Sequence, residues 1–163
     1  MSSFDRRTLL LMPFALAACG FQPVYAPGGA GAALNGKVAV SAPDTVESFL
    51  LVQNLERKLG RSATSGSEYK LTVGVTTTTA AVSITTSNET DRLSINGRAT
   101  YSLASEETGQ VLASGLVSDI VSYSAAGSTV STLADERAAT ERLMAILADH
   151  IVTRLYTIPG VTA

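Results

Sequence analysis

Alternation of apolar and polar residues over three successive segments restricts this 163-residue chain more than any other feature of its sequence. Tyr69, Leu71, Val73 and Val75 fall in one phase, and Lys70, Thr72 and Gly74 in the other. Side chains of a strand point alternately to opposite faces, so this pattern predicts a strand with one face on a core. Residues 76–81 stay β-prone, and the apolar phase then moves from odd to even at Val82 and Ile84, which predicts a bulge or bend. Ser87-Asn88-Glu89 reads as a hairpin tip. Residues 92–103 alternate again through Leu93, Ile95, Ala99, Tyr101 and Leu103, and Glu106-Glu107-Thr108-Gly109 forms the next turn. Residues 111–124 make a further strand in which both phases are apolar: Leu112, Leu116 and Ile120 in one, Val111, Val117, Val121 and Tyr123 in the other. A strand wet on one side does not need this, so both of its faces are expected to be covered.

A short strand at residues 37–42 and two helices complete the pattern. The first helix opens at Pro43-Asp44, with Asp44 as N-cap and Glu47 three residues on. Phe49, Val52, Leu55 and Leu59 recur at helical spacing, Val46 and Leu51 widen the stripe, and Gly60 follows as the stop. The second helix has Thr132 as N-cap and runs to about Tyr156, with Leu143, Ile146, Leu147, Ile151 and Leu155 as its stripe. The order β-α-β-β-β-α, with three strands joined by turns, predicts an α+β two-layer sandwich: two helices packed on a mostly antiparallel four-stranded sheet.

The N-terminus belongs to a different kind of segment. Arg6 and Arg7 are followed by a short apolar run, residues 8–15, and then by Leu16-Ala17-Ala18-Cys19-Gly20. The run is too short to span a bilayer, which takes roughly 20 apolar residues. Charge, apolar segment and small-residue cleavage site in that order form a secretory signal. The single cysteine of the chain stands at the cut, which marks the lipoprotein type, with a covalent lipid on Cys19; the alternative is an ordinary signal beside a chance cysteine. Two or more acyl chains anchor a protein stably where one does not. Arg6-Arg7 leaves open whether export is general or by the twin-arginine route. Gly20, where aspartate retains enteric lipoproteins at the inner membrane, fits transfer to the outer membrane. The expected layout is residues 1–18 signal, 19–36 a lipidated flexible tether rich in Gly and Ala, 37–158 the α+β domain, and 159–163 a tail.

Composition narrows the function. Removal of Asp5, Arg6 and Arg7 with the signal takes the formal charge from −2 to about −3. Nucleic-acid binding calls for a clustered basic footprint, and none is present. Catalytic constellations are missing too. His150 is the only histidine, beside Asp149 on the last helix, and the bland reading of it is a helix-surface residue. A zinc site needs several His, Cys or carboxylate ligands, and with Cys19 lipidated only one His is available. No Gly-x-Ser-x-Gly elbow or phosphate loop occurs, and Glu106-Glu107 is a solvated turn. The expectation is a non-enzymatic protein with no cofactor or metal. Few charges and many Thr and Ser suit a surface that lies against another protein.

Cys19-Gly20-Phe21-Gln22-Pro23-Val24-Tyr25, Leu93-x-Ile95-x-Gly97-x-Ala99-x-Tyr101-x-Leu103, Ser122-Tyr123-Ser124, Ala134-x-x-Arg137-Ala138 and Leu147-Ala148-Asp149-x-Ile151-x-x-Arg154-Leu155 occur in an order that resembles the lipopolysaccharide-assembly lipoprotein family, LptE, in its alphaproteobacterial form. The resemblance implies an outer-membrane lipoprotein on the periplasmic side. It implies that the protein plugs and helps assemble the LptD β-barrel, which inserts lipopolysaccharide into the outer leaflet. It also implies lipopolysaccharide contact through bases near a hairpin tip. Here the tip Thr85-Thr86-Ser87-Asn88 has no base, and the nearest candidates are Arg92 and Arg98, which without the resemblance read as solvated strand charges. Two other classes remain at this point: an accessory lipoprotein of an ABC-type lipid transport system, and a periplasmic hydrolase that the missing constellation disfavours.

Overall fold

The computed structural model describes residues 29–60, 67–84, 90–126 and 128–158. Within these, a one-turn helix α1 (Ala30–Leu34) precedes strand β1 (Val38–Val40), helix α2 (Val46–Leu59), strands β2 (Tyr69–Ile84), β3 (Thr90–Ser105) and β4 (Val111–Ser124), and the long helix α3 (Thr129–Leu155). The sheet order is β1-β2-β3-β4; β1 pairs parallel with β2, and the other two pairings are antiparallel. The parallel pair needs a crossover, and α2 supplies it. The expected α+β sandwich with a mostly antiparallel four-stranded sheet is therefore the fold.

Both helices lie on one side of the sheet. Leu51, Leu55 and Leu59 of α2 and Leu143, Leu147, Ile151 and Leu155 of α3 are fully buried against Leu71, Ile95, Ala99, Leu103 and Val117 from the odd phase of the strands. Burial of each such side chain stabilises the fold by about 1.5–3 kcal/mol, which dominates the energetics of the domain. Gly97 sits in the middle of β3 under α3; a Cβ there would lie 2.9 Å from Leu143 Cδ2 and 3.0 Å from Leu147 Cδ1. Its missing side chain sets how closely the helix approaches the sheet.

Several local expectations change. Helix α2 is capped by Thr45, not Asp44: the Ser48 N–H donates to Thr45 Oγ1 at 3.1 Å, and the Thr45 N–H donates to Ser48 Oγ at 2.8 Å. This reciprocal pair uses two otherwise orphaned donors, and Ser48 does in it what Glu47 was expected to do. The stripe of α2 is also rotated, since Phe49 and Val46 are 54% and 73% exposed while Ser48, Leu51 and Val52 are buried. Helix α3 starts at Ser128, whose Oγ accepts from the Ser131 N–H at 3.3 Å. Thr132 lies inside the first turn and returns its hydroxyl to the Ser128 carbonyl at 3.2 Å. No apolar period announces this start, because Val130 and Leu133 face outward.

The segment expected to be a flexible tether ends in structure. Helix α1 places Leu34, fully buried, in the core, and the Gly36 N–H donates to the Leu59 carbonyl at 2.8 Å. Gly60, at φ +73°, closes α2 in a conformation that a Cβ would obstruct, 2.5 Å from Asn35 Oδ1. The expected bulge is present, with register shifts on either side of Ser83 and Val82 exposed. The hairpin tip at residues 85–89 lies outside the described residues.

Candidate functional site

The sheet has a second face, and nothing in the described chain covers it. Residues paired in register share a face, so the even phase of β2, β3 and β4 forms cross-strand rows: Gly74–Thr100–Leu116, Thr76–Arg98–Ser118, Thr78–Asn96–Ile120 and Ala80–Ser94–Ser122. Toward the other end Lys70 lies opposite Ala104, and toward the β2–β3 turn Arg92 lies opposite Ser124. Nearly half of these side chains are short hydroxyls. The exceptions on β4, the edge strand, are Leu112, Leu116 and Ile120, which are 37%, 49% and 59% exposed. The doubly apolar pattern of β4 thus resolves into two faces. Val117, Val121 and Tyr123 are buried under α3, whereas the even-phase side chains have no cover within the described chain.

Among the described side chains of β2 to β4, this open face carries Lys70, Arg92 and Arg98 and no acid. Arg92 and Arg98 share the face but are six residues apart on one strand, about 20 Å at strand rise. They cannot grip one phosphate together. Arg92 borders a shallow cavity of about 420 Å³ lined by Ser122, Tyr123, Ser124 and Ala126, where hydroxyls and one guanidinium face the same space. Lys70 belongs to this surface although the sequence did not single it out; its even phase beside Thr72 and Gly74 was the available signal.

The remaining titratable groups are dispersed. His150 is an exposed residue of α3 with Nε2 3.8 Å from Asp119 Oδ2, and Asp149 pairs with Lys58 across the two helices. Glu106 and Glu107 lie exposed in the β3–β4 turn. Burial pushes the Tyr123 phenol above its ordinary range, with Glu136 adding to the shift. The Lys37 ammonium is raised by its hydrogen bond and ion pair with Glu68 at 2.8 Å. Among the described residues no group of His, Cys, Asp and Glu is arranged to hold a metal ion, and no helix is long and apolar enough to cross a membrane. Cys19 lies outside the described residues.

Several solved structures with a similar fold are described as lipoproteins. A lipoprotein from Caulobacter crescentus CB15 aligns at 20% identity over 78% of this chain and 93% of its own, with a TM-score of 0.65. The rare lipoprotein B from Shewanella oneidensis aligns at 10% identity over 73% of this chain and 91% of its own, with a TM-score of 0.53. A minor lipoprotein from Acinetobacter baumannii aligns at 15% identity over 76% and 92%, also at 0.53. At such identities the likeness is one of fold. No functionally curated protein matches the sequence significantly. The family model LptE, described as lipopolysaccharide-assembly, matches residues 36–155, from the end of α1 to the last residue of α3. That span holds both helices of the covering layer and all four strands, and the chain belongs to the LptE lipopolysaccharide-assembly family.

Proposed function

We propose that this protein is an outer-membrane lipoprotein, held on the periplasmic side by lipid on Cys19, that plugs and helps assemble an LptD-type β-barrel for insertion of lipopolysaccharide into the outer leaflet. The observation that carries the reading is a family member whose sheet is covered by helices on one face and bare on the other, with Leu116 and Ile120 in the open. A monomer in water gains nothing from that exposure, whereas a domain enclosed by a partner buries it. The protein makes and breaks no bond in this role; its work is to shape and block a lumen. The nearest approach to a catalytic pair, His150 with Asp119, has no nucleophile in reach among the contacts it makes. Arg92, next to the β2–β3 turn and beside Ser122 and Ser124, is the proposed contact for a lipopolysaccharide phosphate.

Purification of the full-length lipoprotein from native membranes in mild detergent tests the reading. A near-stoichiometric barrel large enough to enclose the domain is expected. Recovery alone, or with an ABC transporter and its periplasmic partner, would overturn it and favour an accessory role in lipid transport. Cys19→Ala is expected to release the protein from the membrane fraction.

A further inference from the structure

The open face is more specific than a generic uncovered surface. Its bases are spread evenly: Arg92, Arg98 and the Lys70 row follow one another at six-residue intervals, each step about 20 Å. A ligand with one anionic head group needs converging bases, and this pattern offers none beyond single contacts. The side chains between them are short (Thr76, Thr78, Ser94, Ser118), so the surface is flat. Three strands about 4.8 Å apart and 14–16 residues long present roughly 650 Å² in projection, near the ~800 Å² per partner of a stable protein interface. The outer surface of the helix layer is different. There Glu136, Arg137, Glu141 and Arg142 alternate in sign, as on an ordinary solvated helix.

We infer that the open face of β2–β4 docks flat against the inner wall of a β-barrel whose facing side chains are acidic opposite Lys70 and Arg98 and apolar opposite Leu116 and Ile120. The inference rests on the plug reading above and adds which face meets the wall and what chemistry the wall presents. A barrel wall is itself a sheet, and two sheets pack face to face about 10 Å apart when the side chains between them are small or interdigitate. Positive charge without a compensating acid on one partner selects negative charge on the other, and like charges across the contact would be repelled. The apolar ridge lies on the edge strand β4, at the margin of the docking face.

The full-length lipoprotein is co-produced with the LptD-family barrel of the same genome, and a photo-reactive benzoylphenylalanine replaces Ser118 on the open face or Glu141 on the helix layer. Irradiation of the purified complex is expected to give a covalent lipoprotein–barrel adduct from position 118, at least fivefold more than from position 141. Arg98→Glu is expected to lower barrel retention at least tenfold, while Arg142→Glu leaves it unchanged. Both charge variants change exposed residues, and melting of each variant alone separates lost binding from lost folding. Adducts of position 118 with lipopolysaccharide in place of the barrel, equal adducts from both positions, or full retention by folded Arg98→Glu would overturn the inference while the plug reading stands. Failure of the unsubstituted protein to retain any barrel would overturn both.

Discussion

Gly97→Ala is the smallest change that tests how the two layers are held apart. The added Cβ would lie 2.9 Å from Leu143 Cδ2, 3.0 Å from Leu147 Cδ1 and 3.1 Å from Leu143 Cγ. Ordinary carbon–carbon contact is about 3.5–4.0 Å, so α3 must lift by several tenths of an ångström or two leucines must leave their rotamers. Both leucines are fully buried, so neither has free space to turn into. Overpacking of this kind costs about 1–3 kcal/mol. Removing a glycine from a strand interior returns about 0.5–1 kcal/mol through the unfolded chain. The net expectation is a loss of about 0–2.5 kcal/mol, which for a domain of this size lowers Tm by roughly 3–5 °C per kcal/mol. The assay is urea unfolding of the acyl-free chain, with an unchanged denaturant slope showing that the native fold persists. Leu143→Ala alone should cost about 2–5 kcal/mol. Combined with it, Gly97→Ala should become neutral or stabilising, because the methyl then fills part of the cavity. The resulting coupling is about 1–2 kcal/mol. A stabilising Gly97→Ala in the unmodified background, or additive losses in the double variant, would refute the claim that this glycine sets the helix–sheet distance.

Leu34→Ala should destabilise the domain by about 2–5 kcal/mol in the same assay, since Leu34 is fully buried; a loss under 0.5 kcal/mol would return α1 to the tether. Thr45→Ala removes a reciprocal cap and should cost about 0.5–2 kcal/mol, whereas Asp44→Ala should cost less because Thr45 and Ser48 remain paired. The raised Tyr123 phenol fixes a sign: the folded state holds its proton more tightly than the unfolded chain, so the contribution is fully present below pH 10 and is lost as pH rises through the folded value. Tyr123→Phe should therefore flatten the alkaline decline of stability above pH 10 while leaving neutral stability nearly unchanged, read by unfolding at a series of pH values. An identical alkaline slope in Tyr123→Phe would assign that decline to other groups.

The strands were legible in the sequence because burial on one face writes itself as period two. Residues 111–124 are bounded in the structure as the alternation and flanking turns predict, and the phase change at Val82 marks a true register shift. What the pattern hid lies where two rules compete. At the start of α2, Asp44, Thr45 and Ser48 are all capable of capping, and only the backbone geometry selects Thr45. At Val46 and Phe49 helical spacing alone placed apolar residues in the stripe, although both stand outside the buried face of α2. The first turns of α3 carry no inward apolar residue before Ala139, so periodicity could not find their start. The small residues of α1 looked like tether because a single leucine gives no period, yet Leu34 closes the end of the core.

The candidate surface was half legible for a related reason. Two apolar phases in β4 state that both faces of a strand want cover, but a sequence does not say whether its own chain provides it. The structure divides the two. Val117, Val121 and Tyr123 answer to α3, and Leu116 and Ile120 to nothing within the described residues. An edge strand with an open apolar row is an aggregation hazard that natural proteins blunt with charge or covering elements. Here the charges sit on β2 and β3 instead, and their single sign makes the face repel a second copy of itself when two such faces meet. A flat, hydroxyl-rich, cationic face with an apolar margin thus disfavours self-association and favours a partner of opposite sign. In the proposed role, that combination would let the domain be enclosed by the partner whose wall complements it.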